Sequence, residues 1–211
     1  ELFSETENDA IAAIGNSLFL GITSATLCAI LGTLIVLTVR RHKKSGKILE
    51  AQSLLPEMLP GIVLVIGIML FWNDIYSLLP LYNTMAILVI TYVILFLPYT
   101  VQYVTSAFTQ MSESLTEAGR VFGGSAFYIF RHITLPLILK GVCAGWMMTF
   151  IISVRELVAP SLIAPPNTLV ISTYIMREFE QGSVSLGMSM AVLCVAITVS
   201  ALMILKRRMR L

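Results

Sequence analysis

The feature that most limits what this chain can fold into is its segregation of charge. Five stretches of about 20 residues carry almost no Asp, Glu, Lys or Arg, and the charges gather between them. A hydrocarbon layer of roughly 30 Å needs about 20 apolar residues per helix, so each stretch is long enough to cross it once. At 57% hydrophobic and 12% charged residues, the chain carries more apolar surface than a water-soluble fold of its length can hide. The expected class is therefore all-α: a polytopic membrane helical bundle of about five transmembrane helices.

The expected spans are residues 16–39, 55–72, 84–108, 141–162 and 183–205, forming a single transmembrane domain over 1–211. The first stops at Arg40, Arg41, Lys43, Lys44 and Lys47. The second opens among Pro56 and Pro60, since proline is best tolerated in a first helical turn, after an amphipathic approach segment over 48–55. Pro98 is expected to kink the third. A long polar segment, 109–140, leads to the fourth, whose last part is interrupted by Arg155 and Glu156 and closed by Pro160, Pro165 and Pro166.

Twelve of the 14 Lys and Arg residues fall in the first loop, in 109–140 or at the C-terminus. The positive-inside rule places those segments in the cytoplasm. Arg155, Arg177 and the acidic run Glu1, Glu5, Glu7 and Asp9 then lie on the far side, with the N-terminus outside and the C-terminus cytoplasmic. This pattern does not point to nucleic-acid binding. Cys28, Cys143 and Cys194 each sit in an apolar stretch without pairing or metal-like spacing and read as small core residues. The chain opens Glu1-Leu2-Phe3 without an initiator Met, which suits a processed chain or a fragment of a longer one.

Catalytic sets are missing from the pattern. His42 and His132 stand beside Arg41 and Arg131 in polar segments and read as solvated surface residues. There is no H-E-x-x-H, no G-x-S-x-G and no phosphate-binding G-x-x-x-x-G-K-[ST]; Gly46-Lys47 is followed by Ile48. If ATP drives this protein, another chain binds it.

The segment richest in information runs from Ser114 through Glu117, Ala118, Gly119, Arg120, Gly123 and Gly124 to Leu135 and Pro136. It reads as helix, glycine break, helix. Ser114 and Glu117 have capping-box spacing, and Leu115, Ala118 and Phe122 fall along one side. Gly123 and Gly124 permit a left-handed turn, and Phe127, Phe130 and Ile133 give the next helix an apolar stripe. From physics alone, two readings stand level: an element docking in a partner's groove, or an amphipathic connector on the bilayer with Glu117 as a cap.

The order of residues resembles the Glu-Ala-Ala loop of the permease subunits of binding-protein-dependent ABC importers of the type I fold. Glu117, Ala118, Gly123, Leu135 and Pro136 match at the family's spacing, and Gly119 replaces the second Ala. The resemblance covers nearly the whole chain. Asn16-Ser17-Leu18 looks like the family's entry into the first span. Arg155-Glu156-Leu157, with Pro160 and Pro165-Pro166 and then Phe179-Glu180-x-Gly182, is similar to the ferric-iron branch.

The resemblance implies an ATP-driven importer, for ferric iron or for thiamine, phosphonate, sugar phosphate or polyamine. It implies ATP-binding subunits that hold ATP and Mg, a second permease module, an extracytoplasmic substrate-binding protein and a place in the lipid of a bacterial inner membrane. No cofactor of the chain's own and no enzymatic activity are implied. Two modules are often fused in the ferric branch, and an acidic lead-in without Met would suit the C-terminal half of such a fusion. Residues Glu117 to Gly124, with Leu135 and Pro136, would couple the spans to the ATPase.

Arg155 and Glu156 are candidates for the substrate path or a gate, because ionisable residues within a span are costly and face protein or water. The alternative is an outer-interface position, where Arg155 snorkels and Glu156 caps a neighbouring segment. Asp74, Tyr99, Gln102 and Tyr103 are weaker candidates. Rival classes are a secondary transporter or channel, a membrane-embedded enzyme and a structural subunit. The first would need carboxylates at ion-coupling depth, and only Glu156 is near one.

Overall fold

A computed structural model of the protein describes residues 2–77 and 80–208. Glu1 of the acidic run and Arg210 of the basic C-terminus lie outside the described residues. In chain order the helices are α1 (Leu2–Arg41), α2 (Lys43–Met58), α3 (Gly61–Asp74), α4 (Met85–Thr109), α5 (Glu113–Val121), α6 (Ala126–Ile129), a π turn (Phe130–Thr134), α7 (Leu135–Val154), α8 (Val158–Ile163), α9 (Ile171–Glu180) and α10 (Val184–Arg208). No strand occurs among the described residues.

Among the described residues, four helical stretches are long and apolar enough to cross a membrane: residues 7–41, 85–109, 126–154 and 184–204. A fifth crossing exists only if α2 and α3 count together, and they are bent by 108°. The helix expected over 55–72 is thus broken. Pro60 has no N–H to donate and biases the residue before it towards extended backbone. Leu59 accordingly sits at φ −105°, ψ 144°, ending α2, while Pro56 lies inside α2 instead of opening a span. Beyond the break, α3 is 14 residues long, about 21 Å at 1.5 Å per residue.

The fourth span also differs from the expected 141–162. Its helix begins at Ala126 and stops at Val154. Arg155 is the C-cap, and the short α8 starts afresh at Val158. Upstream, α1 begins well before Asn16, and its first turns pack Ala10, Ala13 and Ile14 into the cluster shared by α7, α9 and α10.

The centre of the bundle is formed by α1, α4 and α7, which pack on one another pairwise. In lipid, apolar side chains gain little by leaving the solvent, so close backbone approach and hydroxyl bonds carry helix association. Both are present. A methyl group at Gly145 would stand 3.0 Å from Thr100 Cα, and Gly32 meets the same threonine from α1. Ser24 and Ser153 share a hydroxyl bond of 3.1 Å between α1 and α7, and Thr100 and Thr149 another of 3.1 Å between α4 and α7. Trp146 Nε1 donates to Thr26 Oγ1 at 3.1 Å. Ile22, Ile30 and Leu34 of α1 and Val192, Val195 and Val199 of α10 remain exposed, as the lipid-facing or partner-facing side of a membrane bundle requires.

Candidate functional site

The segment between α4 and α7 is a rigid elbow. Ser112 takes extended backbone (φ −67°, ψ 129°), so α5 begins at Glu113 and Ser114 is already inside it. The expected Ser114–Glu117 capping box is therefore not formed; Ser114 Oγ instead bonds Ser112 Oγ at 2.6 Å, and Glu117 is an exposed mid-helix residue. At its other end α5 closes in a Schellman turn. Gly123 adopts φ +79°, its N–H donates to the Arg120 carbonyl at 2.9 Å, and Gly124 N–H donates to the Gly119 carbonyl at 3.0 Å. Ser125 then caps α6, its Oγ accepting from Tyr128 N–H at 3.2 Å.

Gly119, where the family pattern has Ala, lies under the next helix. A methyl there would come within 2.8 Å of Ile133 Cδ1 and 3.2 Å of Ile129 Cγ1. The missing methyl thus lets the second arm lie tightly on the first. Leu135 N–H bonds back to the Phe130 carbonyl, closing the π turn, and Pro136 has no N–H to offer the turn before it. The helix runs on through this adjustment into α7. The π insertion also shifts the apolar stripe: Ile129 is the buried residue, Phe130 and Ile133 are half-buried, and Phe127 faces outward.

The outer side of the elbow is apolar and uncovered. Phe122 is 90% exposed and Val121 84%, with Leu115, Ala118 and Phe127 lying less covered than core residues beside them. Its inner side bounds a cavity of about 840 Å³ against the ends of α1 and α4, walled in part by Arg40, Arg41, Arg120 and Glu117. The elbow therefore lies at the end of the bundle where α1 finishes in its basic cluster.

Arg155 and Glu156 do not pair with each other. Glu156 Oε1 accepts from Val158 N–H at 2.9 Å and Ala159 N–H at 3.2 Å, capping α8, and its carbonyl accepts the Ser172 hydroxyl. Capping is thus what its geometry shows. Arg155 is exposed and turns to a groove of about 460 Å³ between α7, α9 and α10. Of the weaker candidates, Gln102 donates to Glu57 and ties α4 to α2, Tyr99 packs beside Phe96, and Asp74 and Tyr103 are exposed. His42 is exposed; His132 is exposed and stacks on Tyr128 at 4.2 Å. Cys28, Cys143 and Cys194 are free thiols, and among the described residues no three His, Cys, Asp or Glu side chains gather as metal ligands.

Contacts not anticipated from the sequence anchor α9. Asn16 Nδ2 donates to the Leu169 carbonyl and Ser17 Oγ accepts from Ile171 N–H, both at 2.8 Å, which gives the Asn-Ser pair of α1 a physical role. Asp9 bonds Arg177 at 2.8 Å, and Arg177 reaches Glu178, only 3% exposed, at 3.2 Å. Burial acts to lower the Arg177 pKa, its bonds to Asp9 and Glu178 raise it, and the net direction is upward. The acidic lead-in and the isolated Arg177 were both visible as opposite charges, but only the fold brings them together.

The described residues thus form a helical bundle with several candidate membrane spans and an apolar-faced elbow between two of them. The chain belongs to the family of binding-protein-dependent transport system inner membrane components, whose pattern matches residues 14–211. Its relatives include the Fe(3+)-transport system permease protein FbpB 2 of Haemophilus influenzae, 24% identical over 95% of this chain and 39% of that protein. The putative 2-aminoethylphosphonate transport system permease protein PhnV of Salmonella typhimurium is 25% identical over 94% of this chain and 74% of that protein. The spermidine/putrescine transport system permease protein PotC of Escherichia coli K12 is 29% identical over 76% and 60%. The chain thus spans about two fifths to three quarters of the length of these relatives.

Among solved structures, a bacterial ABC transporter involved in import of the polysaccharide alginate superposes with a TM-score of 0.76 at 20% identity, covering 95% of this chain and 80% of that one. The inward-facing MetNI methionine ABC transporter gives 0.76 at 16%, covering 99% and 96%. The fold is that of ABC transporter permeases. The chain is a multi-pass inner membrane component of the binding-protein-dependent transport class.

Proposed function

We propose that this chain forms half of the translocation path of an ATP-driven importer. A second permease module supplies the other half, a soluble binding protein delivers substrate outside, and ATP and Mg are held by separate ATP-binding subunits in the cytoplasm. The N-terminus lies outside and the C-terminus inside, on the strength of the twelve basic residues gathered on one side. The chain 1–211 acts as one permease domain. Residues Glu117, Ala118, Gly119, Arg120, Gly123 and Gly124 make the coupling helix and its turn, and Leu135 and Pro136 join that helix to the span.

The observation that carries this reading is the uncovered apolar face at Val121 and Phe122 on an elbow continuous with α7. A helix seated in a partner's groove moves with that groove, and an arm without a flexible joint passes the motion to the bundle. Ferric iron is the first substrate reading, from the residue pattern around Arg155 and from FbpB 2, with 2-aminoethylphosphonate and a polyamine as alternatives from PhnV and PotC.

Reconstitution with its permease partner and ATP-binding subunits tests these readings. ATP hydrolysis should rise when the cognate binding protein is added loaded with ferric iron, 2-aminoethylphosphonate or a polyamine, and stay low with the empty protein. Uptake driven by an ion gradient without ATP would contradict the proposal.

A further inference from the structure

We infer that the groove between α7, α9 and α10 lines the path and accepts an anionic solute, with Arg155 as its charge-selecting residue. The starting observation is depth. The groove wall includes Arg155, Ser172, Cys194 and Thr198. Cys194 and Thr198 lie 10 and 14 residues into α10, about 15 and 21 Å along a helix that crosses the membrane. Arg155 therefore opens on a wall that reaches the middle of α10.

The second observation is that its charge is unmatched. Among the described residues no carboxylate lies within 4.0 Å of Arg155, whereas Arg177 holds two. Glu156, its neighbour in sequence, is committed to the α8 amides. The groove's hydroxyls are also committed: Ser172 donates to the Glu156 carbonyl and Thr198 to the Cys194 carbonyl at 2.7 Å. A guanidinium in such a groove is tolerated only against water, protein or an anion, and its five N–H donors suit a planar or tetrahedral oxyanion.

The third observation is that α9 begins at Ile171 in the same wall, so the positive end of a ten-residue helix dipole adds to the field of Arg155. A space of about 460 Å³ suits a small solute. The chemical class is a carboxylate, phosphonate or phosphate, or a metal ion carried inside a net-negative oxygen-donor complex. A free metal cation or a polyamine does not fit. This substrate class rests on the importer reading; the charge preference of the groove does not.

The test separates the two. In the full complex in membranes, with Cys28, Cys143 and Cys194 replaced by alanine, Val195→Cys places a reporter thiol on the groove wall, where Val195 is 62% exposed. Labelling rates are measured with a sulfonate-bearing and a trimethylammonium-bearing methanethiosulfonate, each normalised to a free thiol. The anionic reagent should lead by about tenfold, as a unit charge at this range in a partly shielded site implies. Arg155→Gln should bring the ratio to about one, and Arg155→Lys should keep most of it. Val199→Cys serves as a second reporter should the first not fold. Equal rates in the native background, a ratio indifferent to Arg155→Gln, or no labelling from water at either reporter would overturn the proposal. None of these outcomes touches the elbow, so the importer reading stands or falls separately.

Discussion

Gly123→Val is expected to leave the permease folded and its ATP-binding partner hydrolysing ATP, while uptake falls at least about tenfold, the scale of a 1–3 kcal/mol change in coupling. The reason is conformational, not steric. Gly123 has φ +79°, a region a β-branched residue enters only with strain, yet an added methyl there would meet nothing within 4 Å. Valine would shift the backbone out of the left-handed turn and break the bonds from Gly123 to Arg120 and from Gly124 to Gly119. The coupling helix would stay helical but lose its fixed angle to α7. Uptake and ATP hydrolysis in proteoliposomes, measured on one preparation, check this. Uptake at the native rate would remove the elbow from the coupling role.

Gly141→Val should damage the fold itself. An added methyl at Gly141 would lie 2.4 Å from Ala107 Cβ and 2.8 Å from the Tyr103 carbonyl oxygen, so the obstacle is the backbone and first side-chain carbon of α4, which cannot swing aside. The two helices would have to part along the line where Thr100 meets Thr149. A loss of about 3 kcal/mol is expected, at the upper end of overpacking effects. Melting in detergent should move down by several degrees, with less protein recovered from the membrane. Gly67→Ala, with open space around its added methyl, is the matched control and should melt no lower than the native protein does.

The glycine turn was legible in the sequence because it is a local device: φ above zero, a helix before it and a helix after it need only a few residues to be recognised. The apolar spans were legible for a similar reason, since lipid contact leaves a continuous record. The break at Leu59 was harder to read. Pro60 fits equally the first turn of a new helix and the end of an old one, and only the packing of α2 along α1 and α4 decides between them. The end of the fourth span was hidden because the residues after Glu156 are again apolar, and composition does not register the cap that Glu156 provides. Ser114 with Glu117 matched a capping box, but Ser112 offered an earlier start. The anchoring of α9 by Ser17 joins residues 154 positions apart, which no local pattern announces.

The role of Arg155 shows the same division. Its position within an apolar run marked it in the sequence as costly, and cost alone could not say whether it snorkels, pairs or faces a path. The fold adds that Arg155 opens on a groove shared with α9 and α10 and that Glu156 is spent elsewhere.

The account turns on whether the apolar tip of the elbow sits in an ATP-binding subunit. A cysteine at Phe122, the most exposed position of that tip, should cross-link to the ATP-binding subunit in native membranes through a short bifunctional thiol reagent and be shielded from lipid-soluble maleimide. Labelling by the lipid-soluble reagent with no cross-link to that subunit would place the tip in the bilayer and contradict the coupling role.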